Sequence, residues 1–185
     1  MKIVQPKDTG FSQDVVAFSS KINVFMGGGM GNTEWHDIFI NRLKSYNISN
    51  ILAVFNPYNP NIQDKFDQIR WEHECLNISK NEDKHFIGSL YFDEYTNQPM
   101  SCLELGRMAI ESKNKEISVY VDSKRTKIMV NYGYPLIVTV NQNSPIKTEI
   151  LYQCRMLDIP CQTGTPEFHA DRVYQEYRKI KQHYI

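Results

Sequence analysis

The sequence lacks several features that would place a protein in a specialised class. Its longest apolar stretch lies near Tyr134–Val140, far short of the roughly 20 residues that a membrane-spanning helix needs. Residues Met1–Phe11 show no apolar core of a secretory signal. Lys and Arg together number 21, as do Asp and Glu, so no excess of positive charge favours a nucleic acid polymer. We therefore expect a cytoplasmic protein with no membrane and no nucleic acid partner.

Metal-binding and disulfide patterns are also missing. The four cysteines are widely spaced and form no CxxC pair, which predicts reduced thiols and not a zinc site. The five histidines show no ligand spacing either. These residues are Cys75, Cys102, Cys154 and Cys161, and His36, His73, His85, His169 and His183. We expect neither a metal nor a cofactor.

The composition is that of one globular domain. The chain has 185 residues, of which 41% are hydrophobic and 23% charged, and this length is sufficient to bury a single core. Three segments are predicted: an irregular lead-in at 1–21, an α/β domain at 22–142, and a helical extension at 143–185. The sequence leaves open whether the C-terminal helices pack on the sheet or on a second subunit.

Short apolar runs alternate with amphipathic segments along most of the chain. The predicted strands are Ile22–Met26, Asn50–Phe55, His85–Phe92, Glu116–Val121 and Leu136–Val140. The predicted helices are Trp35–Tyr46, Ile62–Ser79, Ser101–Ser112, Lys147–Met156 and Glu167–His183. Helical spacing predicts a buried side made of Ile38, Phe39, Leu43 and Tyr46, then Phe66, Ile69, Leu76 and Ile78, then Leu103, Leu105, Met108 and Ala109. This order predicts βαβ units and a three-layer sandwich around a mostly parallel five-stranded sheet.

Glycine is concentrated after the first predicted strand. The run Gly27-Gly28-Gly29-Met30-Gly31 would let a substrate approach bare backbone at the carboxyl end of that strand, where ligands of parallel sheets bind. It does not follow the GxGxxG pattern, and a flexible turn would explain the glycines equally well.

Two glutamates follow later strands. Glu72 shares a helix face with Leu76, one turn away, and Glu104 begins the helix after the third strand. A carboxylate in the first turns of a helix is stabilised as an anion, the form required for attack on a sugar carbon. Taken singly, each residue is also typical of a solvated surface.

In their order, these features resemble the nucleoside 2-deoxyribosyltransferase-like family. The matching stretches are Val24–Met30 followed by Trp35, the turn Asn56-Pro57, then Gln68-Ile69-x-Trp71-Glu72-x-x-x-Leu76 and Leu103-Glu104-Leu105-Gly106. The resemblance extends from about Ile22 to Val140. Two features differ from the family: many relatives have Asp at the position of Glu72, and the usual Ala-Asp before the third strand is absent.

The resemblance implies a flavodoxin-like domain that cleaves or exchanges the N-glycosidic bond of a nucleoside or nucleoside monophosphate. Glu104 would be the nucleophile and Glu72 the acid that protonates the departing base, with the two carboxyl groups ~5–5.5 Å apart. Trp35, Trp71 and Tyr91 are candidates for stacking on the base, although each is also typical of a core. Ser101 and the glycine run would bind a 5′-phosphate or a hydroxyl. Relatives are oligomers that share pockets, so a homodimer or larger homo-oligomer is expected.

Two other functions remain open. The first is a catalytically silent nucleotide-binding module used for sensing, because one fold hosts many functions. The second is a nicotinamide-nucleotide glycohydrolase, which would also use one glutamate. The sequence does not distinguish transfer from hydrolysis, ribose from deoxyribose, or one base from another.

Overall fold

The structure is a computed structural model that describes residues 1–6, 19–29, 33–58, 65–80, 83–95, 98–113, 115–121, 124–130 and 133–184. Within these ranges the strands are β1 (Lys2–Val4), β2 (Ile22–Gly28), β3 (Leu52–Phe55), β4 (His85–Phe92), β5 (Lys115–Val121), β6 (Lys124–Val130), β7 (Leu136–Val140) and β8 (Cys161–Thr163). The α-helices are α1 (Glu34–Ser45), α2 (Lys65–Asn77), α3 (Pro99–Lys113), α4 (Lys147–Met156) and α5 (Pro166–Tyr184). A single 3-10 turn, Ile78–Lys80, extends α2.

Six parallel strands form the central sheet in the order β1-β3-β2-β4-β7-β8. Strands β2, β3, β4 and β7 are almost wholly buried, because helices cover both faces of the sheet. Apolar side chains of α2, α3 and α4 join one core cluster, and those of α1 and α5 join the other. The predicted flavodoxin-like three-layer α/β sandwich is therefore confirmed.

The number of strands in the sheet was predicted wrongly. The predicted strand Glu116–Val121 exists as part of β5, but it pairs antiparallel with β6 in a separate two-stranded sheet. The next strand-forming run starts at Lys124, so the connection is too short for the crossover that parallel pairing needs.

Two short edge strands replace the lost one. Strand β1 lies in the segment expected to be an irregular lead-in, and β8 lies in the expected turn between the C-terminal helices. Each has three residues and pairs with one neighbour, β1 with β3 and β8 with β7. Three residues are too few to show an alternation of apolar and polar side chains, so these strands form only because a neighbouring strand pairs with them.

Several side chains predicted to be buried are exposed. Ile38 is 37% exposed, Phe66 83%, Ile69 44% and Leu103 69%, whereas the other members of the same predicted faces are buried or half-buried. In α3 the sheet-facing side is formed by Leu105, which is fully buried, together with Ser101, Met108 and Ala109. Leu103 lies on the opposite side of the helix from these residues, so its side chain points away from the sheet.

The C-terminal helices pack on the sheet, on opposite faces. Ile150 of α4 lies in the core cluster on the α2 and α3 side. Helix α5 packs against α1 and contributes Ala170 and Val173 to the other cluster. His169 links α5 to the sheet, with its ring nitrogens 2.8 Å from Ser89 Oγ and 2.9 Å from Thr139 Oγ1.

None of the helices in the described ranges combines the length and the apolar character needed to span a bilayer.

Candidate active site

The strand order reverses between β2 and β4. From β2 the chain passes through α1 to β3 on one side, and from β3 it passes through α2 to β4 on the other. Such a reversal opens a crevice at the carboxyl ends of the two strands, where ligands bind in open α/β sheets. The last residues of β2 are Gly27 and Gly28, and α3 begins shortly after β4 ends.

Glu104 of α3 reaches across this crevice to the end of β2. A Cβ atom placed on Gly27 would lie 3.0 Å from Oε2 of Glu104 and would also collide with the side chain of Leu90. A side chain at position 27 would therefore press on the carboxyl group of Glu104. The structure thus brings together two predicted site residues, Gly27 and Glu104.

The next two glycines lie at the end of β2, beside Trp35. Gly28 has φ of +147°, a conformation that L side chains rarely adopt, and a Cβ there would meet the carbonyl of Tyr91. Trp35 donates its Nε1 hydrogen to the Gly29 carbonyl at 2.8 Å, and its ring lies 5.2 Å from that of Tyr91. Met30, the remaining predicted residue of this loop, lies outside the described residues.

Burial governs the charge state of Glu104. Desolvation, reinforced by repulsion from Glu72 and opposed by Arg107, raises the pKa of Glu104 to about 8. The expectation that the helix N-terminus stabilises its anion is therefore wrong. Glu104 lies more than one turn into α3, which begins at Pro99, and the dipole effect is confined to the first turn.

Glu72 is the second carboxyl group of the site. Desolvation also raises its pKa, although a hydrogen bond of 2.9 Å from Gln68 Nε2 to Oε1 partly opposes that effect. The charge of Glu72 raises the pKa of Glu104, so the two groups interact electrostatically. Helices α2 and α3 thus present two interacting acids.

The other predicted residues are buried. Trp71 is 1% exposed and packs beside Phe55, with ring centroids 6.1 Å apart. Ser101 is 3% exposed on the sheet side of α3. Trp35 and Tyr91, beside the glycine loop, are equally buried at 3% and 1% exposure, so none of these four side chains offers an open surface in this conformation.

A third acidic residue at the crevice escaped sequence analysis. Asp93 directly follows β4, and a Cβ on Gly29 would collide with its carboxylate. Its Oδ1 accepts hydrogen bonds from the Tyr95 backbone, at 2.9 Å, and from Gln98 Nε2, at 2.8 Å. Gln98 has φ of 45°, a strained backbone for a residue with a side chain. The signal was available, since a polar residue immediately after a buried strand marks the ligand edge of such sheets.

A buried histidine was also overlooked. His36, in the first turn of α1, has Nδ1 2.7 Å from Oδ1 of Asn56, the residue that directly follows β3. The same oxygen accepts the Tyr58 backbone hydrogen at 3.1 Å, so it acts as an acceptor and Nδ1 of His36 must donate. Burial lowers the pKa of His36 to about 4, which keeps the ring neutral.

The arrangement is suited to acid–base and nucleophilic chemistry. It combines two interacting carboxyl groups with the glycine backbone at the carboxyl end of β2. Among the described residues, no three His, Cys, Asp or Glu side chains are grouped so as to hold a metal ion. No protein-family model matches the chain, and a search of curated proteins gave no match either.

Proposed function

We propose that the protein is a nucleoside 2-deoxyribosyltransferase-like enzyme that cleaves or exchanges the N-glycosidic bond of a nucleoside or nucleoside monophosphate. The observation that carries this proposal is the pair of half-buried, interacting carboxyl groups, Glu72 and Glu104, with Glu104 lying at a glycine-lined strand end. Two such groups supply what the reaction needs, a nucleophile for the anomeric carbon and a proton for the departing base.

The raised pKa values support different roles for the two groups, with Glu72 as proton donor and Glu104 as nucleophile. Below about pH 8 the pair retains a proton, because burial and mutual repulsion disfavour two adjacent negative charges. When that proton resides on Glu72, Glu104 is an anion in a poorly solvated position. Such an anion is a strong nucleophile, since little hydration must be removed before attack.

The proposed reaction has two steps. An oxygen of Glu104 forms a bond to the anomeric carbon while the bond to the base nitrogen breaks, and the proton from Glu72 neutralises the base. Water or a second base then attacks the same carbon, releases Glu104 and returns a proton to Glu72. Two easier displacements thereby replace one difficult one.

The glycine loop supports this assignment because it lets two acidic side chains lie against the backbone at the end of β2. A Cβ on Gly27 would crowd Glu104 and one on Gly29 would collide with Asp93, so the missing side chains leave that space to the two carboxyl groups. Trp35 and Tyr91 pack beside the loop, with Trp35 fixed by its hydrogen bond to Gly29, and are too buried to stack on a base in this conformation.

A panel of nucleosides and nucleoside monophosphates tests the proposal. The protein is incubated with each compound, with and without a free acceptor base, and the products are separated by chromatography. Release of free base that requires the protein supports glycosidic cleavage, and a new nucleoside on adding acceptor identifies a transferase. No cleavage of any compound, with ligand binding still measurable, contradicts the proposal and favours a silent binding module.

We also propose that the protein acts in the cytoplasm as a homodimer. Apolar side chains stand exposed along the outer side of α3: Met100 (54%), Leu103 (69%) and Ile110 (64%). We call these three residues the α3 face. An exposed apolar surface of this kind is typical of a protein interface.

Features of α3 favour a second copy of this chain as the occupant. Gly106 lies between Leu103 and Ile110, and a Cβ built on it would meet nothing within 4 Å. Packing against the described residues does not require this glycine, which costs about 1 kcal/mol relative to Ala in a helix, whereas the close crossing of two identical helices would. Arg107 is paired with Glu111 of the same helix at 2.9 Å, so the face presents no unbalanced charge for an oppositely charged partner.

A further inference from the structure

A pair of cysteines lies at the β8 edge of the sheet, away from the residues of the candidate active site. Cys154 of α4 is 1% exposed within the core cluster, and Cys161, the first residue of β8, packs against that cluster while remaining partly exposed. Both side chains pack on the same core cluster where α4 meets β8, and the two thiols influence each other's pKa. Both are free in the structure.

The turn between α4 and β8 brings the backbone near Cys161 back toward that of Cys154. The backbone hydrogen of Ile159 bonds to the Cys154 carbonyl at 2.8 Å, and that of Asp158 bonds to the Arg155 carbonyl at 3.2 Å. Asp158 has φ of 53°, which reverses the chain at the end of the helix. Because the chain reverses here, Cys161 lies near the last turn of α4, which contains Cys154.

Arg172 of α5 supplies a fixed positive charge near both thiols. Its guanidinium donates to the Val138 carbonyl, to Thr139 Oγ1 at 2.9 Å and to the Pro160 carbonyl at 3.3 Å. Within the described ranges its charge is balanced by no salt bridge. A guanidinium held in this way stabilises a thiolate beside it.

The environment makes the two thiols unequal. The interaction with Cys154, helped by Arg172 and opposed by burial, lowers the pKa of Cys161. The same interaction and burial raise the pKa of Cys154 well above its usual range. Cys161 is thus the more acidic and more accessible thiol, and Cys154 is held protonated next to it.

We propose that Cys161 and Cys154 form a peroxide-sensitive dithiol in which Cys161 reacts first and Cys154 resolves the product. The Cys161 thiolate attacks one oxygen of hydrogen peroxide, the O–O bond breaks, and hydroxide leaves as Cys161 becomes a sulfenic acid. Cys154 then loses its proton and attacks the Cys161 sulfur, the S–O bond breaks, and the hydroxide released takes up that proton to leave as water. Overall, two thiols are oxidised to one disulfide, and one peroxide is reduced to two waters.

The disulfide would join the last turn of α4 to β8, which contacts only β7 in the sheet. An edge strand of three residues has few contacts of its own, so a covalent link to a helix restrains it directly. A dithiol reductant would reverse the change by exchange. The site would therefore respond to the redox state of its surroundings independently of any reaction at Glu104.

The experiment treats the full-length protein with stepwise additions of hydrogen peroxide and follows free thiols and intact mass. We expect loss of two thiols and two hydrogen atoms per chain, with peptide mapping that locates the disulfide between Cys154 and Cys161. In Cys154→Ser, Cys161 should instead accumulate as a sulfenic acid that dimedone traps. In Cys161→Ser, Cys154 should remain reduced.

Cys102→Ser provides the matched control. Cys102 is partly exposed on α3, and burial raises its pKa, so it should react with iodoacetamide at pH 7 roughly tenfold more slowly than Cys161. The Cys102→Ser variant should form the disulfide as the wild type does. The proposal is overturned if Cys102 is oxidised before Cys161, or if Cys154 and Cys161 both keep free thiols when other cysteines have reacted. Circular dichroism establishes that each variant is folded.

Discussion

The carboxyl group of Glu104 packs against the backbone of Gly27, since a Cβ at that position would lie only 3.0 Å from Oε2. The position of this α3 side chain therefore depends on the lack of a side chain at the end of β2. This dependence makes the proposed site sensitive to a change that introduces no charge.

Gly27→Ala should reduce glycosidic cleavage strongly. The added methyl group would press on Glu104 and Leu90, and displacement of a nucleophile by about 1 Å can cost a hundredfold in rate. The measurement is kcat/KM with the best substrate of the panel. Gly88→Ala is the control, because a Cβ there would meet Met108 Cε at 2.5 Å and crowd the core without touching Glu104. Equal losses of activity in both variants would show that Gly27 acts only through stability.

The pH dependence of the reaction should follow the proton shared by the two glutamates. In the wild type, kcat/KM should fall as pH rises through about 8, because the pair then loses the proton that the departing base requires. Glu72→Gln cannot donate that proton, so its rate should fall by roughly a hundredfold or more. The fall near pH 8 should also disappear in this variant. An unchanged alkaline limb in Glu72→Gln would contradict the sharing of a proton.

Stability should report the same raised pKa without any substrate. A carboxyl group with a folded pKa of about 8 and an ordinary value of 4.5 favours the folded state only while protonated, so stability declines as pH rises from 4.5 to 8. Glu104→Gln removes this decline and should exceed the wild type by about 2–5 kcal/mol at pH 9 but not at pH 4. Urea unfolding at both pH values gives the comparison. Glu111→Gln, which disrupts a salt bridge with Arg107, should show no such gain.

The α3 face predicts a specific way to make the protein monomeric. Leu103→Arg places a charge at a position that is 69% exposed within one chain, so the fold should be kept while association weakens. Light scattering at micromolar concentration should give a dimer for the wild type and a monomer for the variant. Tyr152→Arg on α4, at 64% exposure, is the matched control and should remain dimeric. A monomeric wild type would remove the proposed interface.

Strong periodic signals made most of the fold predictable from the sequence. Strands β4 and β7 were predicted with their observed bounds, because long apolar runs buried on both faces permit few alternatives. The edge strands β1 and β8 were missed, and β5 was assigned to the wrong sheet. In these cases the strand's partner is decided by residues far away in the sequence, and a local sequence pattern gives no information about them.

The candidate site was only partly predictable, for a similar reason. Glu72, Glu104 and Gly27 could be named from their order along the chain, and the structure brings them to one crevice. The raised pKa of Glu104 was not foreseen, since it results from burial between packed elements. Asp93 has no distinctive sequence motif, and only its position at the end of β4 makes it a member of the site.

The most direct test of the account compares the wild type with Glu104→Ala on the panel of nucleosides and nucleoside monophosphates. The wild type should release a free base, and the folded variant should be at least a thousandfold slower, equivalent to about 4 kcal/mol of barrier. Cleavage by Glu104→Ala at a rate near that of the wild type would contradict the proposed role of Glu104 as nucleophile.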